Sequence, residues 1–145
     1  MKHLKLLVWV LLELPFASCQ DHSVSAEQVQ VQTRTPIQPV LAKKQDNPLL
    51  EISIEVADTT QAYTLMGIQI DLDGTTQLTD LQDLRLVYLP DPESQETKLF
   101  GQVTDLNSTV LVEGAQELTP GTHQFLLLGS LQGIPELTNQ VAAQL

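Results

Sequence analysis

Apolar residues take every second position in Leu50-Glu51-Ile52-Ser53-Ile54-Glu55-Val56, and the residues between them are polar or charged. Met66, Ile68, Ile70 and Leu72 repeat the alternation against Gly67, Gln69, Asp71 and Asp73. A period of two sends successive side chains to opposite faces of a strand, so both stretches predict strands with one buried and one wet face. Shorter candidates lie at residues 84–89, 99–103, 109–112, 125–128 and 141–145. Turn-forming clusters separate them: Asp58-Thr59-Thr60, Asp73-Gly74-Thr75, Pro90-Asp91-Pro92, Asp105-Leu106-Asn107 and Thr119-Pro120-Gly121. No stretch carries a helical stripe, and residues 79–84 read as at most one turn. The pattern predicts an all-β domain, an antiparallel β-sandwich of about seven to eight short strands.

Leu118-Thr119-Pro120-Gly121-Thr122-His123-Gln124-Phe125 narrows this to an immunoglobulin- or jelly-roll-like sandwich. It resembles the corner of immunoglobulin-like domains, in which a tyrosine hydroxyl ties the start of a strand back to the preceding loop. Here the aromatic is Phe125, one place late and without a hydroxyl, so the sequence predicts the shape of that corner without its hydrogen bond.

The N-terminal end has a different character. Lys2, His3 and Lys5 precede an apolar run over residues 6–12, and small residues lead to Cys19, the only cysteine. This predicts an export signal at residues 1–19, too short to cross a bilayer. Cleavage before Cys19 gives a lipid-anchored protein at the cell surface or outer membrane. Cleavage after it gives a periplasmic or secreted one. In either case a lone cysteine forms no disulfide within the chain. Residues 20–38 are polar, are closed by Pro36 and Pro39, and alternate only at Val29 and Val31, so they read as a flexible tether. The sandwich is expected over residues 39–145.

The whole chain carries a formal charge of −11. Without residues 1–19 it loses Lys2, Lys5 and Glu13, leaving 5 basic against 17 acidic residues, or −12. So acidic a surface speaks against nucleic acid and anionic membranes, where binding rests on Lys and Arg contacts to phosphate. Contact with a membrane is expected only through an anchor at Cys19.

Asp71-Leu72-Asp73-Gly74-Thr75 is the one stretch that invites a catalytic reading. A strand ending in Asp-x-Asp-Gly-Thr resembles the first motif of haloacid-dehalogenase-type phosphatases, with Asp71 as nucleophile and Asp73 as acid/base. Such a strand lies in a parallel sheet covered by helices on both faces and should be apolar on both sides. Gly67 and Gln69 break that rule, and Lys98 is the only downstream lysine to balance phosphate charge. A calcium loop built on Asp71, Asp73 and Asp80 lacks ligands at Thr76, Gln77 and Leu78. His22 and His123 are isolated, so neither metal nor cofactor is expected. Asn107-Ser108-Thr109 fits the glycosylation sequon, and no serine stands in a nucleophile elbow.

A second resemblance covers residues 39–145. Val40-Leu41-Ala42-Lys43-Lys44-Gln45-Asp46-Asn47-Pro48-Leu49-Leu50 is followed by Leu72-Asp73-Gly74-Thr75-Thr76, Leu78 and Asp80-Leu81, then by Leu84-Arg85-Leu86-Val87-Tyr88 and Leu99-Phe100-Gly101. Leu118 with Gly121 and Phe125, and a closing strand at residues 139–143, complete the series. In order and spacing these resemble the N-terminal accessory domain of Bacteroidetes-type sialidases with Asp-box repeats. The family often carries Phe-Trp where this chain has Phe125-Leu126.

The resemblance implies a non-catalytic domain of an exported glycoside hydrolase, with the catalytic propeller as its partner and host or cell-surface glycans as its surroundings. A sialidase needs three arginines to grip the substrate carboxylate, and residues 20–145 hold only Arg34 and Arg85. Catalysis by this chain alone is therefore not expected. Glycan platforms use exposed aromatics, and Tyr63, Tyr88, Phe100 and Phe125 are the only candidates, at least two of which should pack in the core. A spacer or docking role thus ranks above a lectin, and a free-standing carbohydrate-binding or adhesion module is the competing reading.

Overall fold

The computed structural model describes residues 28–37, 40–41, 44–57, 62–91, 93–94, 96–133 and 139–145. The expected export signal, Cys19 and His22 lie outside the described residues. Among the described residues seven strands follow in order: β1 (Val29–Arg34), β2 (Asn47–Val56), β3 (Tyr63–Asp71), β4 (Leu81–Leu89), β5 (Lys98–Val103), β6 (Thr109–Leu118) and β7 (Gly121–Leu131). A 3-10 turn, Leu78–Asp80, leads into β4. The large sheet has the order β1-β2-β7-β4-β5 and the small one pairs β3 with β6, every pairing being antiparallel. The result is the predicted all-β sandwich.

Its core is the union of the alternating faces. Leu50, Ile52, Ile54 and Val56 of β2, Leu84 and Leu86 of β4, and Phe125 and Leu127 of β7 meet Ile68 and Ile70 of β3 and Val110 and Val112 of β6, all buried. Each such side chain contributes about 1.5–3 kcal/mol through apolar surface removed from water. Phe125 lies at the centre, with ring centroids 5.1 Å from Tyr88 and 5.6 Å from Phe100, the latter edge-on at 86°. All four aromatics of the described residues therefore pack into or against the core.

Along one side the two sheets touch. A Cβ on Gly101 of β5 would stand 2.1 Å from the carbonyl oxygen of Glu113 in β6, and one on Gly114 would stand 2.3 Å from that of Phe100. Only glycine permits this approach, which seats Phe100 beneath the seam.

Four expectations need correction. Met66, expected on the buried face, is 65% exposed. The register between β3 and β6 shifts between Leu65 and Gly67, and Tyr63 and Leu65 take the inward places before the shift. The segment read as a tether contributes β1, which pairs with β2 from Val29↔Val56 to Arg34↔Glu51 through backbone groups while its side chains stay largely exposed. Strand β6 runs to Leu118, well past residue 112, and Gly114 in its extension lies directly against Phe100. The closing strand at residues 141–145 is a single bridge, Asp71↔Gln144, because its other partners lie in a turn.

The corner before β7 also differs. His123 is buried, and its Nε2 stands 2.7 Å from the carbonyl oxygen of Thr119, four residues back. A carbonyl only accepts, so Nε2 carries the proton; Nδ1, 3.0 Å from the Tyr88 hydroxyl, completes the pairing of both ring nitrogens. Histidine thus makes the bond that Phe125 lacks, and Gly121 supplies the positive φ of 126° at the turn.

Candidate functional site

The Asp-x-Asp-Gly-Thr stretch ends β3 in a tight turn. Thr75 N–H donates to the Leu72 carbonyl at 3.0 Å, and Gly74 holds a φ of 95°, a region L-residues avoid. Asp71 Oδ1 accepts the Asp73 N–H at 2.8 Å, an Asx turn that sets the chain's direction. Leu72 is buried, and its N–H donates to Ser108, the middle residue of the sequon.

The groups a phosphatase would need free are therefore engaged. The Asp73, Thr75 and Thr76 amides donate to Asp71, Leu72 and Gln140, which leaves none of them to cradle a phosphate. The strand lies in an antiparallel sheet, whereas that chemistry needs a parallel one. Among the described residues, no three His, Cys, Asp or Glu side chains converge as a metal site.

What the turn does instead is hold residues 139–144. Asp71 and Gln144 exchange both backbone hydrogen bonds, at 2.8 and 2.9 Å. Thr75 Oγ1 donates to the Ala142 carbonyl and accepts the Ala142 N–H, both at 3.0 Å. Thr76 N–H donates to Gln140 at 2.9 Å, and Gln140 N–H returns a bond to Thr76 Oγ1 at 3.1 Å. Asn139 Nδ2 donates to Asp80 Oδ2 at 2.6 Å, and Val141 and Ala143 pack against the core. These bonds form a clasp in which two threonines grip a segment more than sixty residues away in sequence. Gly74 lies against it too, its would-be Cβ 3.3 Å from Ala142 Cβ.

Two further features lie on the large sheet. Asn47, 2% exposed, accepts the Leu41 N–H at 2.9 Å and donates to the Lys44 carbonyl at 2.9 Å, and its neighbour Asp46 pairs with Arg85. Arg34 pairs with Glu51 at 3.9 Å on the exposed edge. The two arginines thus stand with separate carboxylates on β1 and β4 and do not share a pocket. Beside Arg34 the outer face forms a groove of about 370 Å³, lined by Gln32, Arg34, Glu51, Ser53, Leu89, Gln124 and Leu126. Cross-strand pairing sets Gln32, Ser53, Gln124 and Leu89 in one row across four strands.

The sequence pointed to Asp71 and Asp73 and missed Thr75, Thr76, Gln140, Ala142 and Gln144. Their one local signal is the Gly-Thr-Thr run, whose hydroxyls suit short-range backbone bonding.

The family described as the N-terminal domain of BNR-repeat neuraminidase matches residues 26–145. Among solved structures the chain is similar to one described as Hadza microbial sialidase Hz136, with a TM-score of 0.64 and 17% identity over 77% of this chain. That likeness is one of fold, and the chain spans 27% of that sialidase's length. No curated protein matches.

Proposed function

Because the chain belongs to the family of N-terminal domains of BNR-repeat neuraminidases, we propose that it is a non-catalytic accessory domain that docks and presents the catalytic part of a sialidase. The observation that carries this reading is the clasp. It fixes residues 139–144 to the sandwich and so gives the C-terminal end of the domain a defined position and direction. A domain meant only to be strung on a flexible linker needs no such fixture. The separate pairing of Arg34 and Arg85 supports the absence of a carboxylate grip. In this reading residues 1–19 export the chain, and a lipid on Cys19 sets the sandwich between membrane and enzyme. Mass spectrometry of the mature N-terminus tests that assignment.

The test of the docking role is a comparison of the parent enzyme with and without residues 26–145. Turnover of a small soluble sialoside is expected to stay within about twofold, since no reacting group is lost. The melting temperature is expected to fall by a few degrees as the docked surface is lost. Loss of turnover on deletion, or sialoside hydrolysis by the 145-residue chain, overturns the reading.

The groove favours a second reading, in which the large sheet contacts neutral glycans. Gln32, Ser53 and Gln124 offer hydroxyl and amide partners beside the apolar Leu89 and Leu126, the mixture that sugar faces require. Titration with galactosides, followed at the Gln32 and Gln124 side-chain amides, checks it; unshifted signals at millimolar sugar remove it.

A further inference from the structure

Among the described residues, β3 pairs with β6 on one side and, on the other, only with Gln144. Asp71 turns its N–H and C=O away from β6 toward Gln144. Backbone groups two residues apart on a strand point to the same side, so Gln69 presents its donor and acceptor to the open edge. Of the usual protections against pairing the edge carries only the irregularity between Leu65 and Gly67, beyond the positions that face the first residues after Leu145. From Tyr63 to Ile70 it holds no charge and no proline, and Met66 on it is 65% exposed. Tyr63 Oη donates to Gln28 at 2.8 Å, which turns this edge toward the start of β1. There Val31, opposite the buried Ile54 and hence on the inner face, is left 52% exposed because the two-stranded sheet does not reach it.

The Asp71↔Gln144 bridge also fixes a direction. In antiparallel pairing one step forward on one strand is one step back on the other. Polypeptide continuing past Leu145 in this register runs along β3 toward Tyr63, its first residue opposite Gln69 and its third opposite Gly67. We propose that the open edge of β3 takes up an antiparallel strand formed by the polypeptide that follows Leu145 in a longer parent protein, making the small sheet three-stranded. This rests on the accessory-domain reading and supplies its contact: the enzyme is joined through main-chain hydrogen bonds that the clasp puts in register. The occupant is the following segment because its direction and register are already set within the fold. The similar sialidase, of which this chain spans 27%, shows that longer polypeptides carry this fold.

Amide hydrogen exchange of the 145-residue chain and of the parent enzyme, followed at Gln69, tests the proposal. The amide is expected to exchange at least about a hundredfold more slowly in the parent, as a paired strand amide does. Gln69→Pro, which removes an edge donor that faces solvent in the shorter chain, should leave the melting of that chain unchanged and lower the parent's. Equal exchange in both proteins overturns the proposal. So does protection already present in the shorter chain, whether from its own residues or in a concentration-dependent dimer, and so does unfolding of the shorter chain by Gln69→Pro. These outcomes leave the accessory role standing, since that role is read from the turnover of the deletion enzyme.

Discussion

Replacing Thr75 by valine isolates the clasp. The two side chains have nearly the same shape, so the change deletes one hydroxyl and leaves the packing around it in place. That hydroxyl serves Ala142 twice, donating to its carbonyl and accepting its N–H at 3.0 Å each. A neutral intramolecular hydrogen bond contributes about 1 kcal/mol net, and a stranded partner costs more when water cannot reach it. Ala142 is only half-buried, so solvent recovers part of the loss. The expected penalty is about 1–2 kcal/mol. It falls on the local opening of residues 139–144, because the core beneath is untouched. A factor of ten per 1.4 kcal/mol then gives exchange of the Ala142 amide roughly 5 to 30 times faster. The urea midpoint should move much less than the local exchange. Thr75→Ser, which keeps the hydroxyl, should restore most of the protection. Wild-type exchange at Ala142 in Thr75→Val would refute the reasoning, for the clasp would then be held by packing and not by this hydroxyl.

Three other substitutions probe separate parts of the fold. Gly101→Ala places a methyl 2.1 Å from a backbone oxygen that cannot yield without parting β5 from β6, and should cost about 2–4 kcal/mol in urea unfolding. Gly129→Ala, whose nearest neighbour is the movable Leu49 Cδ1 at 2.6 Å, should cost clearly less; the reverse order would count against the seam. His123→Phe keeps a buried ring but strands the Thr119 carbonyl and the Tyr88 hydroxyl, for a loss of about 1–3 kcal/mol by thermal unfolding. A stability equal to the original would show that the corner bond is idle. Asp71→Asn should leave sialoside turnover by a parent enzyme within about twofold, and a thousandfold loss would return this residue to catalysis.

The sandwich was legible where alternation and burial coincide. Strand β2 is the clearest case, with Leu50, Ile52, Ile54 and Val56 inside and Glu51 and Glu55 outside. β1 was not legible, because it joins the sheet by backbone pairing and its exposed side chains leave no apolar rhythm. The far half of β6 was hidden for another reason. Its residues Glu113 to Glu117 lack large apolar side chains because the space they face is filled from β5 by Phe100. Met66 followed the expected alternation in sequence and left it in space, since a register shift reverses which side is inward. The clasp is the least legible part. Thr75 and Ala142 are an ordinary pair of residues until the fold brings them together, and a long-range backbone bond leaves no periodic mark on either segment.

The glycine seam has a mechanical consequence. With Gly101 and Gly114 pressing β5 and β6 into contact, the two sheets are bound like the covers of a book along a spine. A force that parts such a body has its longest lever arm at the fore-edge, where β1 and β3 lie. Anything lodged between the covers there acts as a latch, and its grip is multiplied by the full width of the page.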